Sequence, residues 1–201
     1  MKQILLIITT LGLFNFSHAF IEVTNTGSTV GNLVSKSKFK ASTGADLRHK
    51  KKMGLGFAAV GTQGLLGLGL EMNFTPYISS MLSFGLGDHY QTFNIHIKRY
   101  IYGKYFQPYV GVGYSRWYTT GSETHNFSQT NPEFLAKNFL NEHEKRGVFD
   151  EHFIYPSAGI QFLQLTGPWA GSSIYAELIL MIDIDDFVTS PTGGLGFIRY
   201  F

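Results

Sequence analysis

Five ionisable residues stand out because they occur inside segments that are otherwise rich in apolar residues and glycine: Glu71, His96, Lys98, Glu177 and Asp183. In each segment apolar residues alternate with small or polar ones, and the five fall on the polar side. Removing a charge from water is costly unless an opposite charge offsets it. The mixed signs therefore predict an internal network of paired charges, with Glu71, Lys98 and Glu177 at similar depth. The same groups could alternatively line a narrow conducting path.

Nucleophilic catalysis is a second chemistry to consider, because it needs a serine, a base within hydrogen-bond reach and an orienting acid. His152 and Ser157 are close in the sequence, with Asp150 and Glu151 beside them. Since successive side chains of a strand point to opposite faces, a spacing of five separates His152 from Ser157. No serine-hydrolase motif supports such a site. We therefore expect no enzyme activity, with a lipid-modifying reaction as the less favoured alternative.

Cofactor sites are not expected either. The chain has no cysteine, which excludes disulfides, thiol catalysis and cysteine-based zinc sites. His125, His143 and His152 have no spacing that fixes the geometry of a metal site. Phosphate loops and dinucleotide fingerprints are absent. The net charge of +2 gives no reason to expect a nucleic-acid partner.

The elements that must position these residues begin at Met53, where a pattern of period two replaces a polar composition. The pattern, with turns rich in Gly, Pro, Asn and Asp, predicts eight strands: 53–61, 64–74, 77–87, 89–102, 106–118, 152–164, 172–185 and 193–201. Most of them are near the roughly 9–11 residues with which a tilted strand crosses a bilayer. Strands of soluble proteins are more often about 5–6 residues long.

The two faces of the predicted strands differ in composition. In the segment 66–74, leucine, methionine and phenylalanine alternate with Gly67, Gly69, Glu71 and Asn73. Small residues with a few charges suit the narrow lumen of an eight-stranded barrel, and an all-apolar face suits lipid. Because an open sheet edge would leave backbone groups unsatisfied in hydrocarbon, such a sheet must close. We predict an all-β fold, an eight-stranded antiparallel transmembrane up-and-down β-barrel.

The first 52 residues differ from this barrel region of residues 53–201. Lys2, the apolar run 4–14 and the small residue Ala19 predict a signal peptide over residues 1–19. Residues 20–52 are polar, end in a basic stretch and show no regular period. We expect this segment to be a solvated leader. Alternatively, it touches anionic lipid or folds into the barrel mouth.

The longest connection, residues 119–151, is predicted to be extracellular, since an even strand count places both ends of the barrel sheet in the periplasm. Asn131 and Pro132 indicate the start of a helix, and apolar residues between positions 134 and 140 form a modest stripe on it. The predicted helix either caps the barrel mouth or contacts a surface partner.

Aromatic residues gather near the predicted strand ends, the level at which membrane proteins place amphipathic rings. We predict an interfacial girdle, with ordinary strand composition as the alternative. Its members are Tyr77, Tyr100, Tyr102, Tyr105, Phe106, Trp117, Tyr118, Trp169, Tyr200 and Phe201.

Three stretches resemble the small outer-membrane β-barrel family, which includes the OmpA-like membrane domain and the opacity-type porins. They are residues 73–77 (NFTPY), 107–114 (QPYVGVGY) and 196–201 (GFIRYF). The resemblance implies a location in the bacterial outer membrane, in contact with its lipids. It also implies recognition of the last strand by the barrel assembly machinery through Leu195, Phe197 and Phe201. Arg199 departs from the family pattern, in which this position is usually apolar.

The resemblance leaves the role open, because members of this family serve as structural proteins, adhesins or narrow channels. We favour a structural or surface-interaction role, with the lumen plugged by the charged network and residues 119–151 as the contact element. A low-conductance, porin-like channel is the alternative.

Overall fold

Eight antiparallel strands form a closed barrel in the computed structural model, which describes residues 40–119, 126–128 and 132–201. Each strand pairs with the next, and the last pairs with the first, so the sheet has no free edge. The predicted eight-stranded antiparallel up-and-down barrel is confirmed. Its strands are β1 (Met53–Val60), β2 (Leu66–Asn73), β3 (Ile78–Leu86), β4 (Tyr90–Tyr100), β5 (Phe106–Thr119), β6 (Asp150–Leu163), β7 (Ser172–Asp183) and β8 (Thr189–Tyr200).

The outer face of the barrel carries large apolar side chains. Leu66, Leu68 and Leu178 are 63%, 67% and 75% exposed. Residues that alternate with them, such as Gly67 and Glu71, are buried on the lumen side. A barrel in water would show the opposite distribution. A hydrocarbon environment favours the observed distribution of side chains, and closure of the sheet satisfies the hydrogen bonds of the backbone in that environment.

The two ends of the barrel differ in their connections. One end carries the short turns after β2, β4 and β6, together with the start of β1 and the end of β8. The other end carries the long connection between β5 and β6, residues 120–149. Because outer-membrane barrels have short periplasmic turns and longer extracellular loops, we call the first the periplasmic end and the second the extracellular end.

Glycines on the lumen side make room for tyrosine rings of the neighbouring strand. Gly113 lies opposite Tyr155, and Gly159 lies opposite Tyr109, in the register of β5 and β6. A Cβ atom added to Gly113 would lie 2.3 Å from the Tyr155 ring, and one added to Gly159 would lie 2.5 Å from the Tyr109 ring. Since the interior of an eight-stranded barrel is just wide enough for side chains, the glycine-rich face supplies the space that these rings occupy.

The segment before β1 folds into the periplasmic mouth. Its helix α1 (Gly44–Lys50) follows Thr43, whose hydroxyl oxygen accepts a hydrogen bond from the backbone N–H of Asp46. Leu47 and Arg48 are only 0% and 1% exposed. The expectation of a solvated leader is therefore wrong here. A threonine cap followed three residues later by an acidic residue favours the start of a helix. The apolar side of this helix packs into the periplasmic mouth of the barrel.

The predicted signal peptide, residues 1–19, lies outside the described residues, as does the polar segment before residue 40. No helix in the described part of the chain is long and apolar enough to cross a membrane.

The connection between β1 and β2 turns inward at the extracellular end. Its 3₁₀ turn (Gly61–Gln63) is buried, and Gln63 Nε2 donates a hydrogen bond to Ser83 Oγ at 2.6 Å. Gly64 has a φ of +70°, which favours glycine. A Cβ atom on Gly85 would lie 2.1 Å from the Gln63 carbonyl oxygen. This connection is short because it enters the lumen instead of extending into solvent.

A helix was expected to start at Asn131 and Pro132 and to end near Gly147. The described part of the long connection instead contains a short π turn (Leu135–Phe139), which lies soon after Pro132, and a separate 3₁₀ turn (Glu144–Arg146). Asn131, the predicted helix cap, lies outside the described residues. The Phe139 ring lies 4.7 Å from the ring of Phe153 on β6, centroid to centroid. Packing of apolar side chains onto the barrel mouth therefore overrides the weak helical pattern.

Three aromatic residues predicted for the girdle lie inside the barrel. Tyr100, Trp117 and Tyr200 are 3%, 0% and 0% exposed. Tyr102 and Trp169, by contrast, are exposed. Because side chains alternate along a strand, the parity of a residue decides whether it faces lipid or lumen, and proximity to a strand end does not.

Candidate functional site in the barrel lumen

Glu71 and Lys98 form an ion pair in the periplasmic half of the lumen. Strand β2 directs Glu71 inward and β4 directs Lys98 inward, so that Lys98 Nζ lies 3.0 Å from Glu71 Oε2. Tyr100 and Tyr200 each donate a hydroxyl hydrogen bond to Glu71 Oε1, at 2.7 Å and 2.9 Å. The buried carboxylate thus has one cation and two hydroxyl donors, which is the pairing that burial requires.

Lys98 is also enclosed by aromatic rings. Its Nζ lies 4.6 Å from the centroid of the Tyr175 ring and 5.4 Å from that of Tyr109. The Sδ atom of Met81 lies 3.6 Å away. Ring faces attract a cation, and more strongly when water is excluded. The ammonium group is therefore stabilised from several sides by groups of this chain.

Ser157, His96 and Glu177 meet in the lumen from three different strands. His96 Nε2 lies 2.9 Å from Ser157 Oγ, and His96 Nδ1 lies 3.9 Å from Glu177 Oε2. This order of nucleophile, base and acid is that of a catalytic triad. However, 3.9 Å is too long for a hydrogen bond. Glu177 Oε2 instead accepts a hydrogen bond from the Tyr109 hydroxyl at 3.0 Å.

The surroundings of Ser157 favour a buried polar contact over catalysis. A Cβ atom on Gly111 would lie 2.3 Å from His96 Nε2 and 2.9 Å from Ser157 Oγ. The Tyr155 ring lies 5.3 Å from the imidazole, centroid to centroid. Backbone and ring atoms thus crowd the space beside the serine that a substrate carbonyl would need. His152 lies on the outer face, with Nδ1 2.6 Å from the Tyr114 hydroxyl oxygen.

The structure groups four of the five predicted residues, as the pairs Glu71–Lys98 and His96–Glu177, and leaves Asp183 apart. Asp183 faces the lumen, but it lies six residues along β7 from Glu177 and beside Glu151. At about 3.4 Å per residue that is roughly 20 Å along the strand. Asp183 was expected to extend the network upward, and among the described residues it makes no hydrogen bond or ion pair with the other four. Within the described residues, no group of three or more His, Asp or Glu side chains is placed to hold a metal ion. His125 lies outside those residues.

Arg48 belongs to the same lumen, although the sequence pattern did not reveal it. Its Nε donates to the Pro76 carbonyl oxygen at 3.1 Å, and its Nη1 donates to the side-chain oxygens of Gln107 and Gln161. The guanidinium carbon lies 3.5 Å from the centroid of the Tyr100 ring. A planar guanidinium suits this combination of several acceptors and a stacked ring. The sequence feature that could have pointed to Arg48 is the helix N-cap at Thr43.

An aromatic cluster occupies the extracellular half of the lumen. The Trp117 ring stacks on Tyr90 at 5.3 Å and meets Phe153 edge-on at 6.0 Å. The long connection adds Phe134, whose ring lies 5.8 Å from that of Trp117. Trp117 Nε1 donates to Ser115 Oγ at 2.6 Å, which satisfies the one polar group of the indole.

The residues predicted as an assembly signal lie on the outer face of β8 or just after it. Leu195 and Phe201 are each 61% exposed, and Phe197 lies between them on the same face. Ile198 and Tyr200 alternate with this set and are buried.

Comparisons with known proteins bear on the fold. No protein-family model matches the chain. No curated protein sequence matches it either. Among solved structures, the chain is similar to the N-terminal β-barrel domain of OprF from Pseudomonas aeruginosa, with a TM-score of 0.52 and 14% identity over 75% of this chain and 98% of that chain. The chain therefore has the fold of an eight-stranded outer-membrane barrel.

Two structures of the outer membrane protein Ail from Yersinia pestis give weaker matches. One, in a phospholipid bilayer nanodisc, has a TM-score of 0.39 and 16% identity over 75% of this chain and 98% of that chain. The other, a crystal structure of this attachment invasion locus protein, has a TM-score of 0.34 and 16% identity over 75% and 97%. These two scores are too low to support further conclusions.

Proposed function

We propose that this protein is an integral barrel of the bacterial outer membrane, with a lumen sealed by its own side chains and a structural or surface-interaction role. The observation that carries this is the Glu71–Lys98 pair, whose oxygen and nitrogen atoms are engaged by groups of this chain. A conducting path needs sites that an ion can enter and leave. Here Glu71 and Lys98 already have partners within the chain.

Side chains at two further levels support a sealed lumen. Arg48 lies at the periplasmic end, bonded to oxygens of three residues. The cluster around Trp117 and Phe153 lies at the extracellular end. An eight-stranded barrel has little interior space beyond what such side chains fill.

Planar-bilayer recordings of the purified protein test this sealed lumen. We expect no steady unitary currents from wild type, because every level of the lumen holds packed side chains. Each preparation is first tested for heat-modifiable migration on an unboiled gel, which verifies that the barrel is folded. Steady unitary currents from folded protein would favour the channel alternative and contradict a sealed lumen.

The long connection is the proposed contact element, because its apolar side chains pack on the barrel and leave polar ones outside. Lys137, Glu142 and Arg146 are exposed, and Leu135 is fully buried. Trypsin added to intact cells is expected to cleave after Lys137 and Arg146. Lys52, at the periplasmic end, should be cleaved only after the outer membrane is permeabilised. The reverse pattern would contradict the proposed orientation.

A non-enzymatic role is the other part of the proposal, supported by the crowding around Ser157 and His96. Purified wild-type protein is expected to leave phospholipid and lipid A substrates unchanged. Turnover that Ser157→Ala abolishes would establish the enzyme alternative.

We also propose that the chain is one of the OmpA-like small barrels, exported through residues 1–19 and inserted by the barrel assembly machinery. The outward direction of Leu195, Phe197 and Phe201 supports a recognition role, because an assembly factor can reach that face. Phe201→Ala is expected to lower the folded fraction in outer-membrane preparations. Phe187→Ala, at an exposed extracellular position, is the matched control and should not lower it.

A further inference from the structure

An apolar groove crosses the outer face of the barrel at its periplasmic end. Phe162 of β6, Ile174 of β7 and Phe197 of β8 lie next to one another in the strand register and form its floor. Trp169, in the turn between β6 and β7, forms one wall and is 69% exposed. The groove has a volume of about 350 Å³. A depression of this kind offers more contact to an acyl chain than the convex surface of the barrel does.

A cation lies at the edge of this groove. Arg199 is two residues from Phe197 on the same outer face, and its Nη1 donates to Ser172 Oγ at 2.7 Å, where Ser172 also lines the groove. Its Nη2 donates to the Pro168 carbonyl oxygen at 3.3 Å. Both acceptors are neutral, and among the described residues Arg199 makes no ion pair with a carboxylate. Its positive charge is therefore available to an external anion.

A second cation adds to the positive charge at this position. Lys51 follows α1, and its Nζ donates to the Tyr200 carbonyl oxygen at 3.1 Å. Burial, and to a smaller extent the positive charge of Arg199, lower the pKa of Lys51 below its usual value. An anion bound at Arg199 would reduce that repulsion.

The depth of these groups matches the headgroup region of a bilayer. Arg199 lies at the second-last position of β8, and Trp169 lies in a turn beyond the strands. Tryptophan and arginine prefer this level, where an apolar body meets lipid and a polar tip meets headgroups or water. A molecule with a phosphate group and an attached chain of methylene groups would fit both the positive charge and the apolar groove.

We propose that this groove binds an anionic phospholipid of the periplasmic leaflet, with the headgroup phosphate at Arg199 and an acyl chain along Phe162, Ile174 and Phe197. This rests on the proposed outer-membrane location and deepens it by naming a class of lipid and a site. Arginine binds phosphate oxygens through paired N–H donors. An anionic headgroup is preferred over a zwitterionic one because the latter brings its own cation to a site where Arg199 is already positive.

Trp169 provides a direct readout of this binding. The chain has only two tryptophans, and Trp117 is fully buried inside the barrel, so quenchers in the lipid reach Trp169 alone. The full chain is reconstituted in phosphatidylcholine bilayers that contain a small fraction of brominated phosphatidylglycerol or of brominated phosphatidylcholine. We expect brominated phosphatidylglycerol to quench at about fivefold lower mole fraction, the effect of one cation near an anionic lipid. High salt should reduce the difference.

The variants Arg199→Gln and Arg99→Gln separate this site from general attraction to the membrane surface. Arg99 is the matched control, because it lies on the outer face of β4, also one residue before the strand end, and is exposed. Arg199→Gln should abolish the preference for phosphatidylglycerol, and Arg99→Gln should leave it unchanged. Equal quenching by the two lipids in wild type, or an equal loss in both variants, would overturn the site. Heat-modifiable migration tests the folded barrel separately, so its failure is distinguishable from failure of lipid binding.

Discussion

The two halves of the lumen are filled by different kinds of interaction. The periplasmic half contains Arg48, which donates hydrogen bonds to three residues, and the ion pair of Glu71 and Lys98, and the geometry of both is specific. The extracellular half contains Trp117 and Phe153 in a cluster of apolar side chains from the strands and the long connection. Apolar contacts depend on shape and area, whereas buried charges depend on each partner being present. The periplasmic half should therefore tolerate conservative substitutions, which keep volume or charge, less well than the extracellular half.

The largest expected effect comes from removing one partner of the buried ion pair. Glu71→Ala should lower the free energy of unfolding by about 3–5 kcal/mol, because it leaves the ammonium group of Lys98 buried without its carboxylate. The free energy of unfolding is measured by urea titration in lipid vesicles, with loss of heat-modifiable migration as the readout of unfolding. The double variant Glu71→Ala with Lys98→Met should regain most of the loss. Equal instability of the single and double variants would show that charge pairing does not organise this half.

Substitutions in the aromatic cluster should lower the free energy of unfolding less when the new side chain keeps the volume of the old one. Leu135→Ala removes a fully buried side chain of the long connection and should lower the free energy of unfolding by about 2–5 kcal/mol. Leu135→Met keeps the volume and should cost less than about 1.5 kcal/mol. Lys137→Ala, on the same turn but exposed, should stay within about 0.5 kcal/mol. The same unfolding assay applies. A loss for Leu135→Met as large as for Leu135→Ala would remove the contrast between the halves.

Substitution of Arg48, in the periplasmic mouth, should have an intermediate effect on stability. Arg48→Ala should cost about 1–3 kcal/mol, because it leaves the buried oxygens of Gln107 and Gln161 without their donor. Arg48→Lys should not restore this, since an ammonium lacks the planar fork that reaches several acceptors and stacks on Tyr100. Hydrogen exchange of α1 measures the effect. Lys50→Ala, exposed on the same helix, is the control and should change exchange little. Full rescue by lysine would argue against a role for guanidinium geometry.

The smallest effect concerns pH and the same helix. A hydrogen bond from the backbone N–H of Ser42, with smaller help from Lys50, holds the pKa of Asp46 below its ordinary value of 3.8. Because the folded pKa is the lower one, the stabilisation is present above pH 3.8 and is lost as the pH falls through the folded value. The protection of α1 against hydrogen exchange, corrected for the intrinsic pH dependence of exchange, should fall over that acidic range, and Asp46→Ala should remove the change. The aromatic cluster should show no matching change. A fall in protection of equal size in Asp46→Ala would contradict the assignment.

Much of the architecture could be predicted, because strand period and turn chemistry are local properties. Alternation separates Leu66 and Leu68 from Glu71 and Lys98, and the glycine and mixed charges of the polar face indicate that it is the inner one. The partners of those residues could not be predicted in the same way. Glu71 on β2 meets Tyr200 on β8 only because the barrel closes, and the triad-like contact of His96 joins strands that are not sequence neighbours.

Errors in the predictions have the same origin. Tyr100 and Tyr200 were expected at the lipid interface from their place near strand ends, but their parity turns them into the lumen. Asp183 was expected to extend the network upward, and its distance along β7 leaves it without a contact to Glu177. Arg48 lies in a segment without a long periodic pattern, and only the open mouth of the finished barrel gives its side chain acceptors.

The sequence by itself thus determined the strand number, the closed antiparallel sheet and the face that meets lipid, since all three depend on alternation and turns. The tertiary structure decided which charges pair, which segments enter the lumen and where Arg199 meets a groove between strands β6, β7 and β8. Those features depend on register and on the space left inside or outside a closed barrel, and no local pattern of residues encodes that space.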